Sequence, residues 1–350
     1  MTPPSPAPAT EADRQRALDA LHIVGSLPEP AYDDIVKVAA AVCGTPMALV
    51  TLIDRDRQWF KARTGLDGMQ TERNVAVCDH AIRQPDQLME IGDLAQDARF
   101  ADNPVLNEIG ARFYAGMPLV TEQGAAVGSV CVVDITPREL NAVQRDALQA
   151  LARLTMTLME SRSRERDQQV ATLLDQAVAD DAASPDATGA YTVVILELQD
   201  LAELAQRLGE RTLDRHLQQL DHALEQCLQP ERGDSLNRVT GSGEFIAVLG
   251  SAHAPDTVAA FLDHALEQCL QPERGDSLNR VTGSGEFIAV LGSAHAPDTV
   301  AAFEAVAHDT LQRLGTPLLL GAASTDRGES TTAVFLRADQ ALSAAKQRGH

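Results

Sequence analysis

The residues of this chain best suited to chemistry are five cysteines, Cys43, Cys78, Cys131, Cys227 and Cys269, and a histidine, His80, two positions beyond Cys78. A thiolate is a nucleophile, a metal ligand and one half of a disulfide, and a neighbouring imidazole can ligate a metal or carry a proton. The spacing contains no CxxC pair and no zinc-type pattern, so reduced, mostly buried thiols and no bound metal or cofactor are expected. Trp59, the only tryptophan, and Phe60 follow a strand and a charged turn, where they wall a small-molecule pocket or close the edge of a core. Phe113 and Tyr114 lead into a further strand that runs up to a turn at Gly116-Met117-Pro118. Trp59, Phe60, Cys78, His80, Phe113 and Tyr114 are the candidate ligand-binding set. A second set is acidic: Glu244 and Glu286 each follow a Gly-Ser-Gly turn in the stretch RVTGSGEFIAVL, which occurs twice.

The elements that position these groups follow from periodicity. Ala17–Ile23 and Ala31–Cys43 have helical spacing, with Pro28 and Pro30 between them. Met47–Asp54 and Ala126–Asp134 read as strands, and a long helix follows from the Pro137-Arg138-Glu139-Leu140 run. That helix carries Leu148, Leu151, Leu154 and Leu158, a seam suited to pairing with a second copy of the chain. Ala179–Ala190 is a flexible linker by composition. Tyr191–Leu198 is a buried strand, Asp200–Leu208 and Arg211–Cys227 are helices, and RVTGSGEFIAVL is a hairpin. A helix at Ala301–Leu314, a strand at Pro317–Ala323 and a helix at Thr332–Gln347 close the chain. Leu220–Phe261 and Leu262–Phe303 are identical over 42 residues. A sheet of this kind has one central place for a hairpin, so one copy is expected there and the other at an edge or outside the sheet.

Several runs in the first half occur in a telling order: DRQWFKA, CDHAI, DARFADNP, RFYAGMPL and VGSVCVVDITPREL. Together they resemble a bacterial GAF domain over roughly Leu18–Glu160. The resemblance implies an antiparallel sheet flanked by helices, with a small-molecule pocket on one side. Some GAF proteins reduce methionine sulfoxide with pocket cysteines, which makes a redox enzyme built on Cys78 and Cys131 one alternative function.

GSGEF at 241–245, together with RADQALSAAKQRG at 337–349, resembles the signature hairpin and closing helix of GGDEF domains, the diguanylate cyclases. Such enzymes condense two GTP molecules into cyclic di-GMP using carboxylate-held metal ions. Carried over by position, Glu197, Asp214, Glu244, Glu286 and Lys346 are the residual nucleotide-site residues. The departures are many. Gln199 stands where the family has a second metal-binding acid and Ala202 where it has a phosphate-contacting lysine. Ala205 replaces a guanine-reading asparagine, and Gly243 and Gly285 replace a metal ligand. Phosphoryl transfer depends on just these contacts, so the resemblance implies a degenerate domain with no catalytic residues. An active diguanylate cyclase is the other alternative. With no metal to hold, Glu244 and Glu286 read as solvated turn carboxylates and Glu197 as a strand-end charge.

A length of 350 residues accommodates two ordinary domains. A net charge of −21 argues against nucleic acid and anionic membrane as partners. The apolar region Ile35–Ile53 is interrupted by Lys37 and Gly44-Thr45-Pro46, so it is no membrane span, and the first residues are unlike a signal peptide. The expectation is a cytoplasmic α+β protein. Residues 1–12 form a disordered tail, 13–160 a GAF sensor and 161–190 a helical signalling linker. Residues 191–350 form a ferredoxin-like, cyclase-type α/β sandwich with the tandem repeat. Its expected partners are a small molecule in the GAF domain, a second copy through the linker helix, and a signalling protein.

Overall fold

The computed structural model describes residues 10–182, 191–198, 201–225, 235–238, 244–250, 287–290, 318–324 and 330–348. The chain divides into two units, Met1–Arg164 and Glu165–His350.

Unit 1 begins with α1 (Glu11–Asp19), which Thr10 caps: its hydroxyl accepts from the Asp13 amide, and the Asp13 carboxylate accepts from the Thr10 amide. That reciprocal cap starts a helix inside the segment expected to be a disordered tail. The helix also ends at Asp19 rather than Ile23, ahead of a left-handed turn at His22 (φ 46°). The second helix, α2 (Pro30–Cys43), starts on a proline and stops at Gly44. Six strands follow: β1 (Met47–Ile53), β2 (Arg57–Thr64), β3 (Gln70–Glu72), β4 (Met89–Ile91), β5 (Phe113–Val120) and β6 (Ala126–Asp134). They form one antiparallel sheet in the order β3-β2-β1-β6-β5-β4. Two short helices, α3 (Val77–Ala81) and α4 (Pro104–Glu108), lie in the connections.

Every residue of β1 and β6 is buried, so the centre of the sheet is covered on both faces. On one face Met47, Leu49, Ile53, Phe60, Tyr114, Cys131 and Val133 share a core with Val77, Cys78, Phe100 and Leu106 from α3, α4 and their flanks. Alternate strand residues turn to the opposite face. There Lys61 reaches Ser26, the Leu27 carbonyl and Glu29, beside the Tyr32 ring of α2.

The turn expected at Gly116-Met117-Pro118 is instead strand. β4 pairs with β5 only as far as Gly116, so Pro118 lies where β5 has become the sheet edge and its missing N–H leaves no ladder bond unmade.

The long helix is α5 (Ala142–Ala182), which continues past Ala179 where a flexible linker was expected; residues 183–190 lie outside the described set. Its leucine seam is split. Leu148 and Leu151 are buried with Met156 and Met159, whereas Leu154 and Leu158 are exposed with Val143. The reason is helical phase: a 3/3/4 spacing drifts around a helix already packed on its own unit, where Ser163 and Arg162 donate to the Ala20 and His22 carbonyls.

Unit 2 holds β7 (Tyr191–Leu198), α6 (Leu201–Leu208), α7 (Glu210–Glu225), β8 (Ser235–Arg238), β9 (Glu244–Gly250), β10 (Phe287–Val290), β11 (Leu318–Ser324) and α8 (Thr331–Arg348). Its sheet runs β10-β11-β7-β9-β8. The first copy of the repeat supplies β8 and β9, with β9 antiparallel to β7. Of the second copy, Phe287–Val290 is the described part; it lies at the opposite edge, parallel to β11. Val193, Ile195, Ile246, Val248 and Ala323 pack against Val170 of α5 and Val334, Phe335, Ala338 and Leu342 of α8. Gly321 lets α8 approach: a Cβ there would stand 2.3 Å from the Ala338 carbonyl oxygen. The helix expected at Ala301–Leu314 lies outside the described residues.

Candidate functional site

In unit 1 the sheet face that carries α3 contains a cluster of thiols and hydroxyls within an otherwise apolar core. Cys131 and Ser129 are two apart on β6 and therefore share a face; Thr51 is registered opposite Ser129 on β1, and the two hydroxyls are 3.2 Å apart. Cys78, in the first turn of α3, sets its sulfur 3.8 Å from that of Cys131. The Tyr114 hydroxyl donates to the same Cys78 sulfur at 3.3 Å. Gly116 makes this possible. It is registered beside Cys131, and a Cβ at this position would come within 2.2 Å of the Tyr114 hydroxyl. The tyrosine ring thus lies along β5 over a bare backbone.

Hydrogen bonding with the Cys131 thiol, joined by the Ser129, Thr51 and Tyr114 hydroxyls, outweighs burial and holds the Cys78 thiol below the ordinary cysteine range. The same contact, together with burial, holds the Cys131 thiol well above the ordinary cysteine range. Cys43 is different: burial pushes its thiol up to about 11.

Side chains around the cluster fix α3. Asp79 pairs with Arg73 at 2.7 Å and with Arg83 at 2.6 Å, and Arg73 also holds Glu11. Asn103 caps α4 and donates to the Val75 carbonyl at 2.8 Å, tying α4 to the turn that leads into α3. His80 stands at the rim, half-buried, its ring edge-on to Phe100 at 4.9 Å, and burial lowers its pKa.

Of the six candidate ligand residues, Phe60, Cys78 and Tyr114 meet in this core and His80 borders it. Trp59 and Phe113 are buried but alternate with Phe60 and Tyr114, and so belong to the opposite face. Thr51, Ser129 and Gly116 were not legible as site residues; the one available signal was Tyr-x-Gly at i, i+2 on a strand.

Of the residues expected at a residual nucleotide site, unit 2 brings Glu197, Glu244 and Lys346 together, each acid with a cation attached. Glu244 begins β9 and is directly opposite Glu197 of β7. It is buried, not a solvated turn carboxylate as expected, because Arg166 of α5 grips both its oxygens: Nε donates to Oε2 at 2.8 Å and Nη2 to Oε1. Asp339 of α8 lies 3.9 Å from the same guanidinium, which stacks over Phe335. Burial pushes the Glu244 carboxyl up while Arg166 pulls it back. Arg166 is held charged: burial opposes its charge, but Glu244 more than compensates. Lys346 of α8 pairs with Glu197 at 2.8 Å. Asp214 is exposed on α7, accepting from Gln218, and Glu286 lies outside the described residues. A divalent metal of the kind the GGDEF resemblance implies does not fit these carboxylates, since their lone pairs already face a guanidinium and an ammonium. Arg166 and Asp339 were missed in the sequence because they are remote in the chain from the signature they serve.

Residues 28–158 match the GAF domain family. The chain is 40% identical over 154 residues, 43% of its length, to a cyclic di-GMP phosphodiesterase of Pseudomonas aeruginosa, and spans only 26% of that protein. Among solved structures it is similar to the blue-light absorbing form of the Thermosynechococcus elongatus PixJ GAF domain, at 14% identity and TM-score 0.34, covering 47% of this chain and 97% of that one. It is also similar to free methionine-R-sulfoxide reductase of Neisseria meningitidis in complex with its substrate, at 14% identity and TM-score 0.33, covering 44% and 90%. The antiparallel sheet, its flanking helices and the family match agree: residues 28–158 of this chain are a GAF domain.

Proposed function

We propose that the protein is a component of cyclic di-GMP signalling in which the GAF domain takes a small ligand and the second unit, a degenerate GGDEF-type domain, acts as a non-catalytic output. The observation that carries this reading is the internal neutralisation of the unit 2 carboxylates, Glu244 by Arg166 and Glu197 by Lys346. An enzyme that transfers phosphoryl groups through metal ions needs such carboxylates turned toward the ions. Here they are spent on holding helices to the sheet. Ala202, which replaces the phosphate-contacting lysine, is itself buried and offers no charge. Losing contacts of this kind costs about 2–4 kcal/mol each in a transition state. The phosphodiesterase activity named for the relative supports the signalling context, not an activity of this chain.

The test is turnover. Purified chain incubated with GTP and magnesium or manganese should yield no cyclic di-GMP by mass spectrometry; product above a heat-killed control overturns the reading. Native mass spectrometry of the freshly purified protein should show a retained small molecule and a dimer mass. The exposed Val143, Leu154 and Leu158 stripe on α5 is the face we assign to that dimer.

A further inference from the structure

We propose that Cys78 and Cys131 are a redox pair that a hydroperoxide converts to an intramolecular disulfide, making this face of the GAF domain an oxidation site. The inference rests on unit 1 alone and is independent of what unit 2 does.

Three observations carry it. The sulfurs are 3.8 Å apart, so bond formation needs them to close by about 1.8 Å, within reach of side-chain rotation. They come from different elements, α3 and β6, with no competing thiol among their described contacts. The surrounding groups are the ones a thiolate needs: Tyr114 donates to Cys78, and Ser129 and Thr51 line the same spot. A purely structural core would fill this place with methyl groups at less cost, because buried hydroxyls must be satisfied. The third buried cysteine, Cys43, lacks this setting and burial raises its pKa to about 11, which makes it an internal control.

The chemistry balances as follows. The Cys78 thiolate attacks the outer oxygen of the hydroperoxide, forming a sulfenic acid as the O–O bond breaks; the departing oxygen takes up the proton that the Cys78 thiol released on ionising and leaves as water or an alcohol. The Cys131 sulfur then attacks the Cys78 sulfur; the S–O bond breaks, and hydroxide takes the Cys131 proton and leaves as water. Two electrons pass from the thiols to the peroxide, and a small dithiol reverses the change by exchange. Both cysteines are buried, so an oxidant the size of oxidised glutathione is excluded and hydrogen peroxide is the probe to use.

The test uses the full chain. Protein is treated with hydrogen peroxide at neutral pH, quenched, alkylated in denaturant and digested with trypsin. The expected product joins peptide Asn74–Arg83 to peptide Phe113–Arg138 with the loss of two hydrogens; Cys43 stays alkylatable, Trp59 fluorescence is unchanged and dithiothreitol restores both peptides. Oxidised glutathione should leave both cysteines alkylatable. In Cys131→Ser, Cys78 should stop at a sulfenic acid that dimedone captures. The proposal is overturned by a wild type in which the two peptides stay separate, whether unmodified or with Cys78 carried on to sulfinic acid. It is equally overturned by a cross-link that appears only after Trp59 reports unfolding. Because the decisive readout is on wild-type protein, a variant that fails to fold does not protect the proposal.

Discussion

Replacing Arg166 with methionine removes the counter-charge from a carboxylate that has almost no access to water. Glu244 is 2% exposed and stands directly across β7–β9 from Glu197, a like charge. In the wild type Arg166 supplies two charge-assisted hydrogen bonds to it and stacks over Phe335 at 5.8 Å. Breaking a buried pair from one side costs about 3–5 kcal/mol, mostly the penalty of the stranded charge. The loss of the stacked guanidinium adds about 1 kcal/mol. With a urea m-value of about 2 kcal/mol per molar, the unit 2 midpoint should fall by about 2 M. Two probes separate the units. Trp59 is the only tryptophan and lies in unit 1, so its fluorescence follows unit 1, while far-ultraviolet circular dichroism follows both. The dichroism transition that fluorescence does not see should move, and the fluorescence transition should stay. Arg166→Lys keeps the charge but not the fork, and should cost about 1–2 kcal/mol. Arg166→Met combined with Glu244→Gln should be much less harmful than the sum of the two single changes. Strict additivity in that cycle, or a unit 2 midpoint unmoved by Arg166→Met, would refute the claim that Arg166 neutralises Glu244.

Gly116→Ala should destabilise unit 1 by about 1–3 kcal/mol in Trp59-monitored unfolding, because its methyl meets the Tyr114 hydroxyl, and Tyr114→Phe in the same protein should recover part of the loss. Gly321→Ala should lower the unit 2 transition at least as much, since the obstacle is a helix carbonyl and cannot rotate away. Burial lowers the Lys61 pKa to about 8, against Glu29, which raises it. The unfolded chain therefore holds the Lys61 proton between about pH 8 and 10.5 when the folded one has released it. Unit 1 stability should rise through that window by up to about 3 kcal/mol relative to Lys61→Met, read as the difference between their urea midpoints at successive pH values. Leu154→Asp with Leu158→Asp should leave Trp59-monitored stability within about 0.5 kcal/mol, since both side chains are exposed, and convert a dimer to a monomer in sedimentation.

The chain's own pattern was enough for the elements whose cause is local. The mainly apolar runs Tyr191–Leu198 and Ala126–Asp134 gave those strands their bounds, and helical spacing placed α2 and α8 to within a residue at each end. The ordered runs from DRQWFKA to VGSVCVVDITPREL were enough to point to a GAF domain, because side chains that fill one fold's turns and pocket walls recur at fixed places in it. Periodicity says which side of a strand or helix a residue takes, but not what it meets there. Whether Leu154 is covered together with Leu148 depends on which side of α5 the rest of unit 1 packs against. Whether Trp59 or Phe60 faces α3 depends on the register of β2, which shifts at a bulge opposite Val50 and Thr51. The chemistry of the candidate sites was decided entirely at that level. Cys78 and Cys131 are 53 positions apart and Arg166 and Glu244 are 78 apart, and nothing in either local sequence names the other. Sheet pairing and helix packing bring them together; hydrogen bonds from the gathered thiol and hydroxyls then hold Cys78 low against the effect of burial, and Arg166 turns the buried Glu244 into its anchor. Both effects need partners that are distant in the chain to be held at hydrogen-bond distance, which only the folded chain can do.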